Sequence, residues 1–166
     1  MILKEKILFS KEECESIISY NDTYITNWVM DNRKYNSQPI NYSLDTKWLF
    51  DKLKEFVERE TKIEFRSIKK QIHFHKFVKA DWFGKHNDIR ENRLYAVGVL
   101  LNNDFEGGDF KLYNPNEIIL DKVIGNTYLF DVRIDHEITP ILDGERYSLL
   151  WFLQNEHIKT ETNKLI

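Results

Sequence analysis

The chain has 166 residues, 42% of them apolar and 14% aromatic, which suits one domain with a substantial buried core and argues against disorder. Its formal net charge of −3 lacks the basic excess of a protein whose main partner is a phosphate backbone, although a local basic patch is compatible with it. A single cysteine, Cys14, excludes an internal disulfide and a cysteine-rich zinc module, and is expected half-buried on a helix.

Residues 1–9 carry charges inside their apolar run, so they do not form a secretory signal, and no stretch approaches the length of a membrane span. A cytoplasmic protein is expected. Ser10-Lys-Glu-Glu13 has the pattern of a capping box opening a helix to about Tyr20. A second helix is expected from about Leu44 to Glu60, with Trp48, Leu49, Leu53, Phe56 and Val57 on one face. Between them, Thr26 to Tyr42 is polar and patternless, and an irregular connection is expected. After Lys62 the period becomes two, with Ile72 and Phe74 alternating with His73, His75 and Phe77. The continuous apolar run Leu94 to Leu101 suits a buried strand, and residues 102–108 have turn chemistry ending in two glycines. Short strands are expected near Phe110–Tyr113, Glu117–Leu120, Asn126–Phe130, Glu137–Pro140 and Arg146–Leu153. Helices followed by many short strands point to a helix-backed sandwich or barrel forming a single domain over 1–166. Its helical support covers about 1–62 and its β core about 63–155.

The residues with chemistry are His86, Asp88, His136 and Arg146. In an extended chain, positions two apart face the same side, so His86 and Asp88 can aim an imidazole and a carboxylate at one point. His136 from a distant strand would complete two histidines and a carboxylate, a facial set suited to non-haem Fe(II) with open positions. Arg146 offers a forked guanidinium for a carboxylate inside the barrel. Taken singly, His-x-Asp is a frequent tripeptide and a strand histidine is usually a satisfied core residue. Order and context carry the reading.

Six segments in order resemble the catalytic core of the 2-oxoglutarate- and Fe(II)-dependent oxygenases, in particular the prolyl 4-hydroxylase-like branch. They are Lys76-Phe-Val-Lys-Ala-Asp-Trp-Phe83, His86-Asn-Asp88, Leu100-Leu-Asn-Asn-Asp-Phe-Glu-Gly-Gly-Asp109, Gly125-Asn-Thr-Tyr-Leu-Phe130, His136-Glu-Ile-Thr-Pro140 and Gly144-Glu-Arg-Tyr-Ser-Leu-Leu-Trp151. The resemblance implies a double-stranded β-helix (jelly-roll or cupin-like), mainly β, with N-terminal helices packed on one sheet. It implies Fe(II) on His86, Asp88 and His136, and 2-oxoglutarate gripped by Arg146, with O₂ as co-reactant and ascorbate as an optional further cofactor. Hydroxylation with release of succinate and CO₂ follows from it, not halogenation, because the ligating aspartate is present.

The chain departs from the family pattern where Phe77 replaces a tyrosine, Ala80 a glycine, and Leu100 a tyrosine that some relatives use to bind the cosubstrate. Phe77, Leu100, Ser148 and His75 are accordingly expected around 2-oxoglutarate. His73 and His75 either supply the missing hydrogen bonds or fill the barrel as stacked aromatics. The nearest branch acts on prolyl residues, so a peptide or protein substrate is expected. Trp28, Arg33 and Tyr35, in a segment that is either a substrate lid or an aromatic-anchored surface loop, and Arg90 are its candidate contacts. A free amino acid hydroxylase, a nucleic-acid demethylase and a non-catalytic β-barrel binding or sensing module are the alternatives. The demethylases usually carry a second arginine six residues after the first, where this chain has Phe152, and nucleic acid is disfavoured as a partner.

Overall fold

The structure is a computed structural model that describes residues 3–22, 26–65 and 71–155. Residues 156–166, part of the expected single domain, lie outside them. Its elements in order are β1 (Lys4–Ile7), α1 (Lys11–Asn21), β2 (Thr26–Met30), β3 (Arg33–Ile40), α2 (Lys47–Thr61), β4 (Ile72–Phe77), β5 (Trp82–His86), β6 (Arg93–Leu100), β7 (Phe105–Gly107), β8 (Phe110–Tyr113), β9 (Glu117–Ile119), β10 (Asn126–Asp131), β11 (Asp135–Ile138), β12 (Ile141–Gly144) and β13 (Arg146–Gln154).

Ten strands form a continuous antiparallel path in the order β1-β10-β6-β13-β4-β3-β5-β11-β8-β9, with β2 paired to β3 and a separate β7–β12 pair. The path curls on itself, because Ala96, Tyr128, Phe130 and Phe152 from one end share a buried cluster with Phe110 and Leu112 of β8 from the other. This is a mainly β, jelly-roll-like architecture. Strict alternation along β13 divides its residues. Tyr147, Leu149, Trp151 and Leu153 join the outer core, while Arg146, Ser148 and Phe152 face the inside of the curl.

The outer core holds Cys14 and Ile17 of α1 and Leu49, Phe50, Leu53, Phe56 and Val57 of α2, together with Ile72, Phe74, Val97 and Val99. The α1 capping box forms as the sequence implies: Glu13 N donates to Ser10 Oγ at 3.1 Å and Ser10 N donates to Glu13 Oε1 at 3.0 Å. Cys14 is fully buried rather than half-buried, because its helix face lies against this core. Trp48, expected on the core face of α2, is 39% exposed, and Phe50 takes the buried place. Among the described residues, no helix is long and apolar enough to cross a membrane.

The largest correction concerns residues 26–42. They form the β2–β3 hairpin around Asp31 and Asn32, with Trp28 paired to Tyr35. Its sequence hides the strand because Pro39 interrupts it and polar residues occupy its exposed face. No local pattern in the sequence marks β1, β7 and β12 as strands either. All four β1 side chains are exposed, so β1 has no apolar alternation and owes its existence to backbone pairing with β10. The strand expected at Glu137–Pro140 lies at Asp135–Ile138, which places His136 inside it.

Candidate metal centre

β5 and β11 pair antiparallel with His86 directly opposite His136. Backbone register alone therefore brings two imidazoles from distant parts of the sequence to a ring separation of 4.3 Å. Asp88 lies just past β5, held by its amide donating to the Val132 carbonyl at 2.9 Å. Its Oδ1 is 3.5 Å from His86 Nε2 and its Oδ2 is 3.2 Å from His136 Nε2. The three ligand atoms lie within 4.8 Å of one another.

The tautomers follow from the backbone. His86 Nδ1 lies 2.6 Å from the Gly84 carbonyl and His136 Nδ1 3.0 Å from that of Ile134. A carbonyl only accepts, so both Nδ1 atoms carry protons, and in the neutral rings each Nε2 presents a lone pair. Asp88 Oδ2 is buried without a hydrogen-bond donor. Burial pushes the Asp88 carboxyl up, but His136 and then His86, as donors when their Nε2 atoms are protonated, outweigh it and hold the group well below the usual carboxylate range, so the carboxylate is kept ionised for a cation. Two bare imidazole nitrogens and a carboxylate converging on one small volume fit a divalent transition metal, with each imidazole oriented by a backbone acceptor. The donor set suits Fe(II).

The centre opens into a cavity of about 360 Å³, which His75, Phe77, Ser148, Arg33, Tyr35 and Arg90 also line. Leu100 is not on that surface. It packs with Phe77, Phe105 and Ile141, and lines a small recess that also contains Arg146, Gly108 and Tyr128. Trp28 sits on β2, paired through its backbone to Tyr35, and its side chain lies outside the described set. His73, His75 and Phe77 share the inner face of β4, with Tyr35 stacked 5.1 Å from Phe77 and 4.8 Å from His75.

Arg146 is 2% exposed. Its Nε donates to the Gly108 carbonyl at 3.1 Å and its Nη1 to Ser148 Oγ at 3.0 Å. Gly107 and Gly108 have φ of 70° and 61°, so the double glycine permits the turn that offers this carbonyl. Burial lowers the Arg146 pKa, partly offset by the Tyr128 hydroxyl. Among the described residues, no carboxylate pairs with Arg146. A buried cation with hydrogen bonds but no counter-ion fits an anionic ligand.

Tyr128, Arg93, Phe83, Phe110 and Phe130 also line the cavity and were not singled out in the sequence. Alternation on β10 could have flagged Tyr128 and Phe130. Nothing local marks Arg93. Gly98 lies under the Tyr128 ring, which an added Cβ would strike. Gly98→Ala is expected to displace Tyr128 and cost about 1–3 kcal/mol in urea unfolding, and an unchanged midpoint would contradict this packing.

Burial, then His73 and Arg146, pushes His75 down to about 3. The sign is clear. Below about pH 6.5 an unfolded histidine binds a proton that the folded one refuses, so stability falls with pH until the folded pKa is reached. Relative to pH 8, this linkage costs about 2 kcal/mol at pH 5. Urea midpoints at the two pH values should differ less in His75→Gln, and an equal difference would refute this origin of acid sensitivity.

No protein-family model and no curated protein match the sequence. Solved structures do match the fold. An oxidoreductase of the 2OG-Fe(II) oxygenase family from Burkholderia pseudomallei superposes with a TM-score of 0.74 at 14% identity, covering 95% of this chain and 87% of that one. A Trichoplax adhaerens prolyl hydroxylase, in complex with a peptide fragment of the hypoxia inducible factor oxygen degradation domain, gives 0.74 at 18% identity over 93% and 84%. The viral collagen prolyl hydroxylase of Paramecium bursaria Chlorella virus-1, in its 2OG complex, gives 0.75 at 13% identity over 93% and 96%. With its β5–β11 histidine pair and curled sheet, the chain has the fold shared by these 2OG-Fe(II) oxygenases and prolyl hydroxylases.

Proposed function

We propose that this chain is an Fe(II)- and 2-oxoglutarate-dependent dioxygenase that hydroxylates a prolyl or other residue in a peptide or protein. One observation carries the reading: two histidine nitrogens and an unpartnered carboxylate oxygen converge beside a cavity, and from an adjoining recess a buried arginine, paired with no carboxylate among the described residues, reaches the cavity-lining Ser148. His86, Asp88 and His136 hold the iron. Arg146, braced by Ser148 and Tyr128, receives the far carboxylate of 2-oxoglutarate, and His75, Phe77 and Leu100 shape its surroundings. Bound iron supplies the activation of O₂, coupled to conversion of 2-oxoglutarate to succinate and CO₂, with the second oxygen atom entering a substrate C–H bond. The apolar rings Phe83, Phe110 and Phe130 keep water from the metal face, while Arg33, Tyr35 and Arg90 belong to the substrate side. The peptide in one structural neighbour and the 2OG in another support this assignment.

The test is anaerobic addition of Fe(II) and 2-oxoglutarate to metal-free protein. A visible charge-transfer absorption that needs both additions is expected. Its absence from folded, iron-loaded protein would overturn the reading in favour of a binding module.

A further inference from the structure

We infer that the substrate presents a carboxylate to a cluster of three arginines, Arg33, Arg90 and Arg93, beside the metal centre. The inference rests on the oxygenase reading for what else the cavity holds. The arginines come from separate places: Arg33 opens β3, Arg90 lies in the β5–β6 loop and Arg93 opens β6. All three line the cavity, and the one acidic residue lining it is Asp88, a metal ligand.

Several cations elsewhere in the chain are paired. Arg59 is with Glu60, Arg133 with Asp131, and Lys52, Lys111 and Lys122 are likewise matched to carboxylates. Among the described residues, Arg33, Arg90 and Arg93 form no ion pair. They are held by other contacts. Arg93 stacks 3.7 Å from the Phe152 ring centre, and Arg33 lies 5.3 Å over Phe83 while its Nε reaches Met30 Sδ at 3.1 Å. Arg90 donates to the Ile89 carbonyl at 3.1 Å. A guanidinium stacked on a ring is fixed by its face, so the N–H edge of Arg93 is available to an oxyanion, while Arg33, whose Nη2 also donates to Met30 Sδ at 2.6 Å, would exchange this weak sulfur acceptor for the oxyanion.

These supports place the charge next to the chemistry. The Phe83 ring under Arg33 lies 3.8 Å from that of His86, and Phe152 under Arg93 is on the inner face of β13 with Ser148 and Arg146. Once a divalent ion and 2-oxoglutarate are bound, Asp88 and the two cosubstrate carboxylates offset the metal and Arg146. The three arginines then remain as uncompensated positive charge. In a chain of net charge −3, such a concentration attracts an anion to this mouth in particular. A carboxylate is favoured over nucleic acid because a phosphate backbone needs an extended basic track, and this excess is confined to one cavity of about 360 Å³. The carboxylate has two sources, an acidic side chain in a peptide or the free carboxylate of an amino acid.

Calorimetric titration of Mn(II)-loaded protein, saturated with 2-oxoglutarate and free of O₂, distinguishes them. The probes are acetyl-Ala-Glu-Pro-Glu-Ala-amide with its Gln and Lys twins, and L-proline with L-prolinamide. At least one carboxylate probe should bind about tenfold or more tightly than its neutral twin. That advantage should vanish in Arg90→Gln/Arg93→Gln and in Arg33→Gln, and return with Arg93→Lys, which controls for folding. The winning pair names the source. Equal affinity within both sets, no carboxylate binding at millimolar concentration, or tighter binding of a single-stranded oligonucleotide would overturn the inference. The charge-transfer absorption of the same preparation separates the two readings. A band without carboxylate preference sinks only the arginine site, whereas carboxylate preference without a band sinks only the oxygenase.

Discussion

Anaerobic Fe(II) at a hundredfold excess over its dissociation constant should raise the thermal midpoint of the wild-type protein by about 5–10 °C, and that of His136→Gln hardly at all. A ligand that binds only the folded state contributes about 2.7 kcal/mol at that excess, and each kcal/mol moves the midpoint of a chain this size about 2–4 °C. On the proposed reading His136 supplies one of the three ligand atoms, and without it His86 and Asp88 should hold the ion at least about a hundredfold more weakly. Glutamine is the informative replacement. His136 is 5% exposed and packs 4.9 Å from Phe130 and 5.7 Å from Phe110, so alanine would leave a cavity that confuses metal loss with core damage. Equal midpoint shifts in wild type and variant would place the metal elsewhere.

Arg146→Met should weaken 2-oxoglutarate binding by about 2–5 kcal/mol, some thirtyfold to several thousandfold, because truncation strands the cosubstrate carboxylate. Arg146→Lys should fall between, since a point charge lacks the fork that meets a carboxylate at two oxygens. The cosubstrate-free Met variant should be no less stable than wild type. It removes a buried cation that pairs with no carboxylate among the described residues, and its side chain suits the neighbouring Phe77, Leu100 and Phe105. The charge-transfer titration reads the affinity and thermal unfolding reads the stability. Unchanged cosubstrate affinity in Arg146→Met would show that another cation receives it.

Much of the scaffold is legible in the chain because local chemistry marks it. The capping box at Ser10 and Glu13 opens α1, the apolar stripe of α2 gives its helix, and period-two alternation marks β4 and β13. Where local signals are silent, reading fails. The β2–β3 hairpin has polar residues and Pro39 where a strand pattern should be, and β1 buries no side chain at all. Ala80 has a φ of 72°, a left-handed conformation that glycine adopts more readily, held by its amide donating to the Ile141 carbonyl at 2.9 Å. The residue type there gives no sign of the turn that the backbone makes.

Which strand face each candidate side chain occupies is legible in the chain alone, because alternation is a property of the extended backbone. His86 with Asp88, and Arg146 with Ser148, follow from it. What they meet depends on long-range pairing. The β5–β11 register sets His86 opposite His136, the Gly84 and Ile134 carbonyls fix their tautomers, and curling of the sheet gathers Arg33, Arg90 and Arg93 around one mouth. These relations join residues far apart along the chain, and their energies come from burial and long-range pairing. No local window of sequence contains them.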